Sequence, residues 1–139
     1  LPVSSSPFSS DAPANPQSGL VTAHCDGGPR GNPGPAGYVA LLQDDSGALL
    51  AELSEFLGNR TNNYAEYSGL LGCLQWTLDH GHRRLRVIAD SELMVKQIQG
   101  KYKVNSPDLR PLWEEARRRI KAVRLQCRCN VVSQQCVDE

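Results

Sequence analysis

Three acidic residues of this sequence stand in settings where a carboxylate can do chemistry. Asp26 ends an apolar run, Leu20 to Cys25, and is followed at once by Gly27-Gly28-Pro29-Arg30-Gly31-Asn32-Pro33-Gly34. Glu66 closes Thr61-Asn62-Asn63-Tyr64-Ala65-Glu66, and Asp90 follows Val87-Ile88-Ala89. Each alone reads as well as a turn, cap or surface acid. Brought to one place, they would repel unless cations neutralised them. Hard oxygen donors select Mg²⁺ or Mn²⁺ over softer metals. Two such ions about 4 Å apart activate water and stabilise the departing oxygen of a phosphodiester. The chemistry expected is metal-dependent hydrolysis.

The elements that must gather these acids are legible in outline. Leu20–Cys25, Ala36–Leu42 and Ala48–Phe56 predict three strands, the last two joined by Asp44-Asp45-Ser46-Gly47 as a hairpin turn. Asp26 and Asp90 are each expected at the C-terminal end of a strand, the second being Leu85–Ala89. That end is where ligands bind in mixed α/β sheets. Thr61 or Asn62 caps a helix to His80, with Gly81 just past its end. Its Tyr67, Leu70, Leu71, Leu74 and Leu78 recur at three- and four-residue steps as a core-facing stripe. Ser91 caps a helix through Gln99, Ser106-Pro107 opens another from Asp108 to Val123, and Arg124–Val132 predicts a last strand. The order βββαβαα(β) predicts an α/β fold: a five-stranded mixed sheet, three antiparallel strands followed by parallel additions, with helices on both faces.

Composition narrows the class. The chain has 139 residues, enough for one core. Residues 1–19 hold six Ser and four Pro with few apolar groups and predict a disordered tail or linker, leaving 20–139 as the domain. The net charge of zero conceals an asymmetry. Residues 1–81 carry two Lys/Arg against eight Asp/Glu, and residues 82–139 carry thirteen against seven. An acidic half for cations and a basic half for phosphates suits a polyanionic substrate. Five Cys without a Cys-x-x-Cys pair argue against a zinc site or disulfide framework. A reducing, cytoplasmic setting is expected, with no membrane segment and no secretory signal. Cys25, Cys73, Trp76 and Trp113 are expected to pack in the core.

The acidic segments, with their neighbours, resemble the type 1 ribonuclease H family. The resemblance rests on Asp26-Gly27-Gly28 with Arg30 to Gly37, on Thr61-Asn62-Asn63-Tyr64-Ala65-Glu66-Tyr67, and on Asp90-Ser91-Glu92-Leu93-Met94-Val95-Lys96-Gln97. Gly100-Lys101-Tyr102-Lys103-Val104 and Leu109-Arg110-Pro111-Leu112 extend it toward the compact bacterial-type branch, without a basic protrusion. It implies endonucleolytic cleavage of the RNA strand of RNA/DNA hybrids, leaving 5′-phosphate ends, by a monomer using two Mg²⁺ ions, with Mn²⁺ as a substitute. Asp26, Glu66 and Asp90 match three of the family's four metal-binding acids. Gly28, Arg30 and Asn32 match contacts to RNA 2′-hydroxyls, the group that marks RNA. Asn62 and Asn63 match amides that reach the minor groove, and Thr61 matches a phosphate contact on the DNA strand.

The chain departs from the family at its end. No His follows His82, and Asn130 to Glu139 does not match the expected loop. Asp138 is the candidate fourth acid, reached through a shortened loop; otherwise the fourth acid lies beyond Glu139, and the last helix would be missing. The alternative function is therefore a catalytically impaired hybrid-binding module of the same fold. The Ser/Pro-rich lead suggests a tether to an upstream hybrid-binding domain.

Overall fold

The computed structural model describes residues 19–29 and 34–129. Five strands and three helices follow in the predicted order. They are β1 (Leu20–Pro29), β2 (Gly34–Gln43), β3 (Leu49–Arg60), α1 (Asn62–Asp79), β4 (Arg84–Ala89), α2 (Glu92–Ile98), α3 (Arg110–Ile120) and β5 (Arg124–Cys129). The sheet order is β3-β2-β1-β4-β5. β1 pairs antiparallel with β2, and β2 with β3; β4 runs parallel to β1, and β5 parallel to β4.

Local chemistry explains the boundaries. The Asp44 carboxylate accepts from the Ser46 and Ala48 N–H groups, and Gly47 takes a left-handed φ of 90°, which closes the β2–β3 hairpin. Thr61, and neither asparagine, caps α1: its hydroxyl oxygen accepts from the Tyr64 N–H at 3.2 Å. Gly81 (φ 76°) ends that helix and Gly100 (φ 84°) follows α2. Ser91 caps α2 through the Met94 N–H. The third helix starts two residues later than its sequence suggests. Ser106 closes a preceding turn by accepting from the Leu109 N–H, and Pro111 then sits in the first helical turn.

Strand alternation divides the sheet into unequal faces. Val21, Ala23 and Cys25, with Ala40, Leu42, Leu85, Val87 and Ala89, point into one core shared with Tyr67, Leu70, Leu74, Met94, Val95 and Ile98 of α1 and α2. The predicted stripe of α1 faces this core, with Leu71 and Leu78 at its margin beside Trp76 and Trp113. Cys25 and Cys73 are buried within it, their Sγ atoms 3.5 Å apart. The three described helices serve this face. On the other, Val39 and Leu41 are exposed, as is Phe56 further along the sheet at 74 %. Among the described residues no helix is long and apolar enough to cross a membrane.

One sequence expectation needs correction. β1 does not stop at Cys25: antiparallel pairing with β2 carries it on through Gly28↔Gly37 and Pro29↔Ala36. Only the parallel half ends there, its last pair being Cys25↔Ala89. Asp26 and Asp90 are therefore the next residues after the same pair on adjacent strands. The sheet opens between β1 and β4 at that level, so both acids lie at the end of a parallel ladder even though one is inside a strand.

Candidate active site

Glu66 reaches this opening from α1. Its first turns run so close to β1 that a Cβ at Gly27 would lie 3.1 Å from the Ala65 carbonyl oxygen, tight enough that the helix backbone would have to give by a few tenths of an ångström. At Gly28 a Cβ would lie 2.8 Å from the Asn62 side-chain oxygen. The two glycines thus let the helix N-terminus settle against the strand that carries Asp26. Gly27 then donates its N–H to Glu66 Oε2 at 3.3 Å. Gly27→Ala is expected to push α1 away and cost about 1–3 kcal/mol, since the opposing atoms are helix backbone and cannot swing aside. Thermal unfolding measures it, and an unchanged melting temperature would contradict the close approach.

Asp26, Gly27, Asn62, Asn63, Glu66, Asp90, Ser91, Glu92 and Leu93 line one pocket of about 350 Å³. Asp26 and Asp90 are exposed, whereas Glu66 is only 5 % exposed. Burial pushes the Glu66 carboxyl up to about 7, the Gly27 N–H pulls the other way, and the charges of Asp90 and Asp26 push it further. Its second oxygen, Oε1, is buried without a hydrogen-bond partner. Such an oxygen is costly to leave bare. A cation would satisfy it and would also relieve the repulsion among the three acids. Among the described residues no three His, Cys, Asp or Glu side chains stand together as a ready metal cage. With Glu66 fixed on Gly27, closure falls to the two exposed aspartates.

A second concavity, about 490 Å³, adjoins the first through Asn63 and Leu93. Thr61, Gln97, Lys103, Asn105, Ser106, Asp108 and Leu109 complete it. Although its oxygen serves as the cap acceptor, the Thr61 hydroxyl keeps its own hydrogen to donate. Asn105, Ser106 and Gln97 were not anticipated as site residues from sequence. The signal was polar residues beside Val104 and Gln97 between Lys96 and Ile98 at the end of α2. Of the predicted contacts, Gly28 stands beside Asn62, while Thr61, Asn62 and Asn63 open α1. Arg30, Asn32 and Asp138 lie outside the described residues.

Comparison with known proteins identifies the family. The family described as Reverse transcriptase-like matches residues 24–134. The bifunctional protein Rv2228c of Mycobacterium tuberculosis is 44 % identical over 97 residues, 69 % of this chain and 27 % of that protein. The structure of its N-terminal RNase H domain, fused to maltose binding protein, superposes with a TM-score of 0.74 at 40 % identity, covering 78 % of each chain. Ribonuclease HI of Halobacterium salinarum is 39 % identical over 104 residues, 75 % of this chain and 49 % of that protein. Its crystal structure gives a TM-score of 0.74, covering 84 % of this chain and 87 % of that one. LC11-RNase H1, solved in complex with an RNA/DNA hybrid, gives 0.74 at 35 % identity, covering 78 % of this chain and 83 % of that one. The chain spans about half or less of the curated relatives' own length. Fold, the position of three acids at one sheet opening, and these likenesses agree: the chain belongs to the type 1 ribonuclease H family.

Proposed function

We propose that this domain hydrolyses the RNA strand of RNA/DNA hybrids, with Asp26, Glu66 and Asp90 holding divalent cations. The observation that carries the reading is the buried, unpartnered Oε1 of Glu66 in a pocket that Asp26 and Asp90 also line. A hard, electron-deficient partner is what this donor set lacks, and Mg²⁺ or Mn²⁺ has the matching chemistry. When bound, two such ions supply an activated water and stabilise the departing oxygen. The chain's own part is orientation. The Gly27 N–H holds Glu66 by one oxygen and leaves the other without a hydrogen-bond partner. Asn62 and Asn63, at the mouth, offer amides to base edges in a minor groove whose readout is nearly sequence-blind. Gly28 brings backbone rather than side chain to a 2′-hydroxyl, and Thr61 offers its hydroxyl hydrogen to a phosphate of the other strand. Arg30 and Asn32 complete the RNA contact and Asp138 the ligand set in this reading. Support comes from the relatives: one is a ribonuclease HI, and another was solved with a hybrid bound. The buried Cys25 and Cys73, whose sulfurs lie 3.5 Å apart without a bond between them, fit a reducing, cytoplasmic compartment.

The test is cleavage of a hybrid labelled on each strand in turn. The expected result is divalent-dependent cutting of the RNA strand alone, with 5′-phosphate ends and no cutting of duplex DNA. Hybrid binding without turnover in either Mg²⁺ or Mn²⁺ would favour the impaired binding module. Neither binding nor cutting would remove the reading. An upstream hybrid-binding domain is proposed on the Ser/Pro-rich lead, since a tethered module raises effective concentration. A reading frame continuing upstream of Leu1 tests it, and a start codon immediately before Leu1 would refute it.

A further inference from the structure

Gln97 sits in the last turn of α2, 4 % exposed, outside the acidic pocket. Both ends of its amide are engaged. Oε1 accepts the Tyr67 hydroxyl at 2.6 Å, and Nε2 donates to the Lys103 carbonyl at 3.0 Å. Its backbone carbonyl accepts from Trp113 Nε1 at 3.3 Å and from the Gly100 N–H at 3.1 Å. Reversing the amide would set oxygen against the Lys103 carbonyl, so this network admits one orientation.

One amide partner, Lys103, lines the second pocket, and the other, Tyr67, is the chain neighbour of Glu66, which lines the first. Tyr67 directly follows Glu66 on α1 and is fully buried. Lys103 begins the segment that brings Asn105 and Ser106 opposite Thr61 in the second concavity. The turn at Gly100 is tied separately, by Lys101 and Tyr102 N–H groups donating to the Lys96 carbonyl. Those bonds fix where the chain leaves α2 but not how far residues 103–106 stand from α1. The Gln97 amide links Lys103 to α1 across that distance, alongside the buried Val104 side chain and the Arg110 Nη1 donation to the Val104 carbonyl at 3.4 Å.

We propose that Gln97 is a positioning residue that sets the separation of the acidic pocket from the pocket formed by Thr61, Lys103 and Asn105. A strand seated in the second then presents its hybridised partner at the acids. This consequence rests on the hybrid-cleaving reading above, whereas the strut itself rests on the two amide hydrogen bonds. Gln97→Met keeps the side-chain length and removes both amide bonds. Gln97→Glu keeps an acceptor for Tyr67 and sets a carboxylate against the Lys103 carbonyl.

Two measurements decide it. Amide hydrogen exchange over residues 101–106 is expected to speed up about fivefold or more in Gln97→Met, on the scale of losing one buried hydrogen bond, with α1 unchanged. Unchanged exchange there would overturn the strut, whether or not the protein acts on hybrids. KM for hybrid is expected to rise about three- to tenfold with kcat held within about twofold, more in Gln97→Glu than in Gln97→Met. The Gln97→Met effect should also be non-additive with Asn105→Ala, because both act through one pocket. A loss confined to kcat, or strict additivity, would contradict a positioning role. If Gln97→Met does not fold, Tyr67→Phe removes the α1 anchor alone and is expected to shift exchange and KM in the same direction; no shift in either would overturn the proposal.

Discussion

Asp26→Asn and Asp90→Asn are each expected to lower hybrid cleavage by about a thousandfold or more while leaving the fold and most hybrid affinity in place. The reason is charge at the point of chemistry. An amide offers one neutral oxygen where the carboxylate offers two charged ones, and the lost electrostatic stabilisation is on the order of 4 kcal/mol in the transition state. Both side chains are exposed and neither fills the core, so melting temperatures should move little. Single-turnover cleavage measured beside hybrid affinity in Ca²⁺ separates the two effects. Cutting by either variant within tenfold of the unaltered chain would show that these acids do not hold the reacting centre.

Glu66 yields the second large effect, and it is one of stability. Its folded carboxyl titrates at about 7 against an ordinary value of 4.5. The folded state therefore holds a proton through a pH range in which the unfolded chain has lost it. The contribution of Glu66 to stability falls as pH rises from 4.5 through 7 and levels off above, by about 3 kcal/mol at ~1.4 kcal/mol per tenfold. Glu66→Gln has no such proton to lose. The difference in unfolding free energy between Glu66→Gln and the unaltered chain should thus shift toward the variant by about 3 kcal/mol between pH 4.5 and 8, in the absence of divalent ions. Denaturant titrations at the two pH values measure it. Saturating Mg²⁺ should shrink the shift at pH 8, because the ionised carboxylate then has a counter-charge. A pH-independent difference would mean that Glu66 is not held in the buried, charge-crowded position described.

Much of this was legible before any coordinates. Strand and helix order followed from the alternation of Val21, Ala23 and Cys25, the stripe of Tyr67, Leu70 and Leu74, and the glycines past the ends of α1 and α2. These are local patterns that burial enforces. Less legible was the length of β1. Gly27 and Gly28 look like a turn because glycine is depleted in strands; here they are small because a helix presses on them. That cause is tertiary and leaves no periodic signal. For the same reason Glu66 read equally well as a surface acid until α1 was seen to cross beside β1. The role of Gln97 was hidden because its partners, Tyr67 and the Lys103 carbonyl, come from a helix thirty residues earlier and a backbone atom that no sequence displays.

The most direct measurement is a crystal of the chain soaked in Mn²⁺ and recorded at a wavelength where manganese scatters anomalously. The account predicts a peak in contact with carboxylate oxygens of Glu66 and of Asp26 or Asp90, with Glu66 Oε2 still on the Gly27 N–H. Manganese bound only elsewhere, or an empty pocket at saturating Mn²⁺ concentrations, would contradict it.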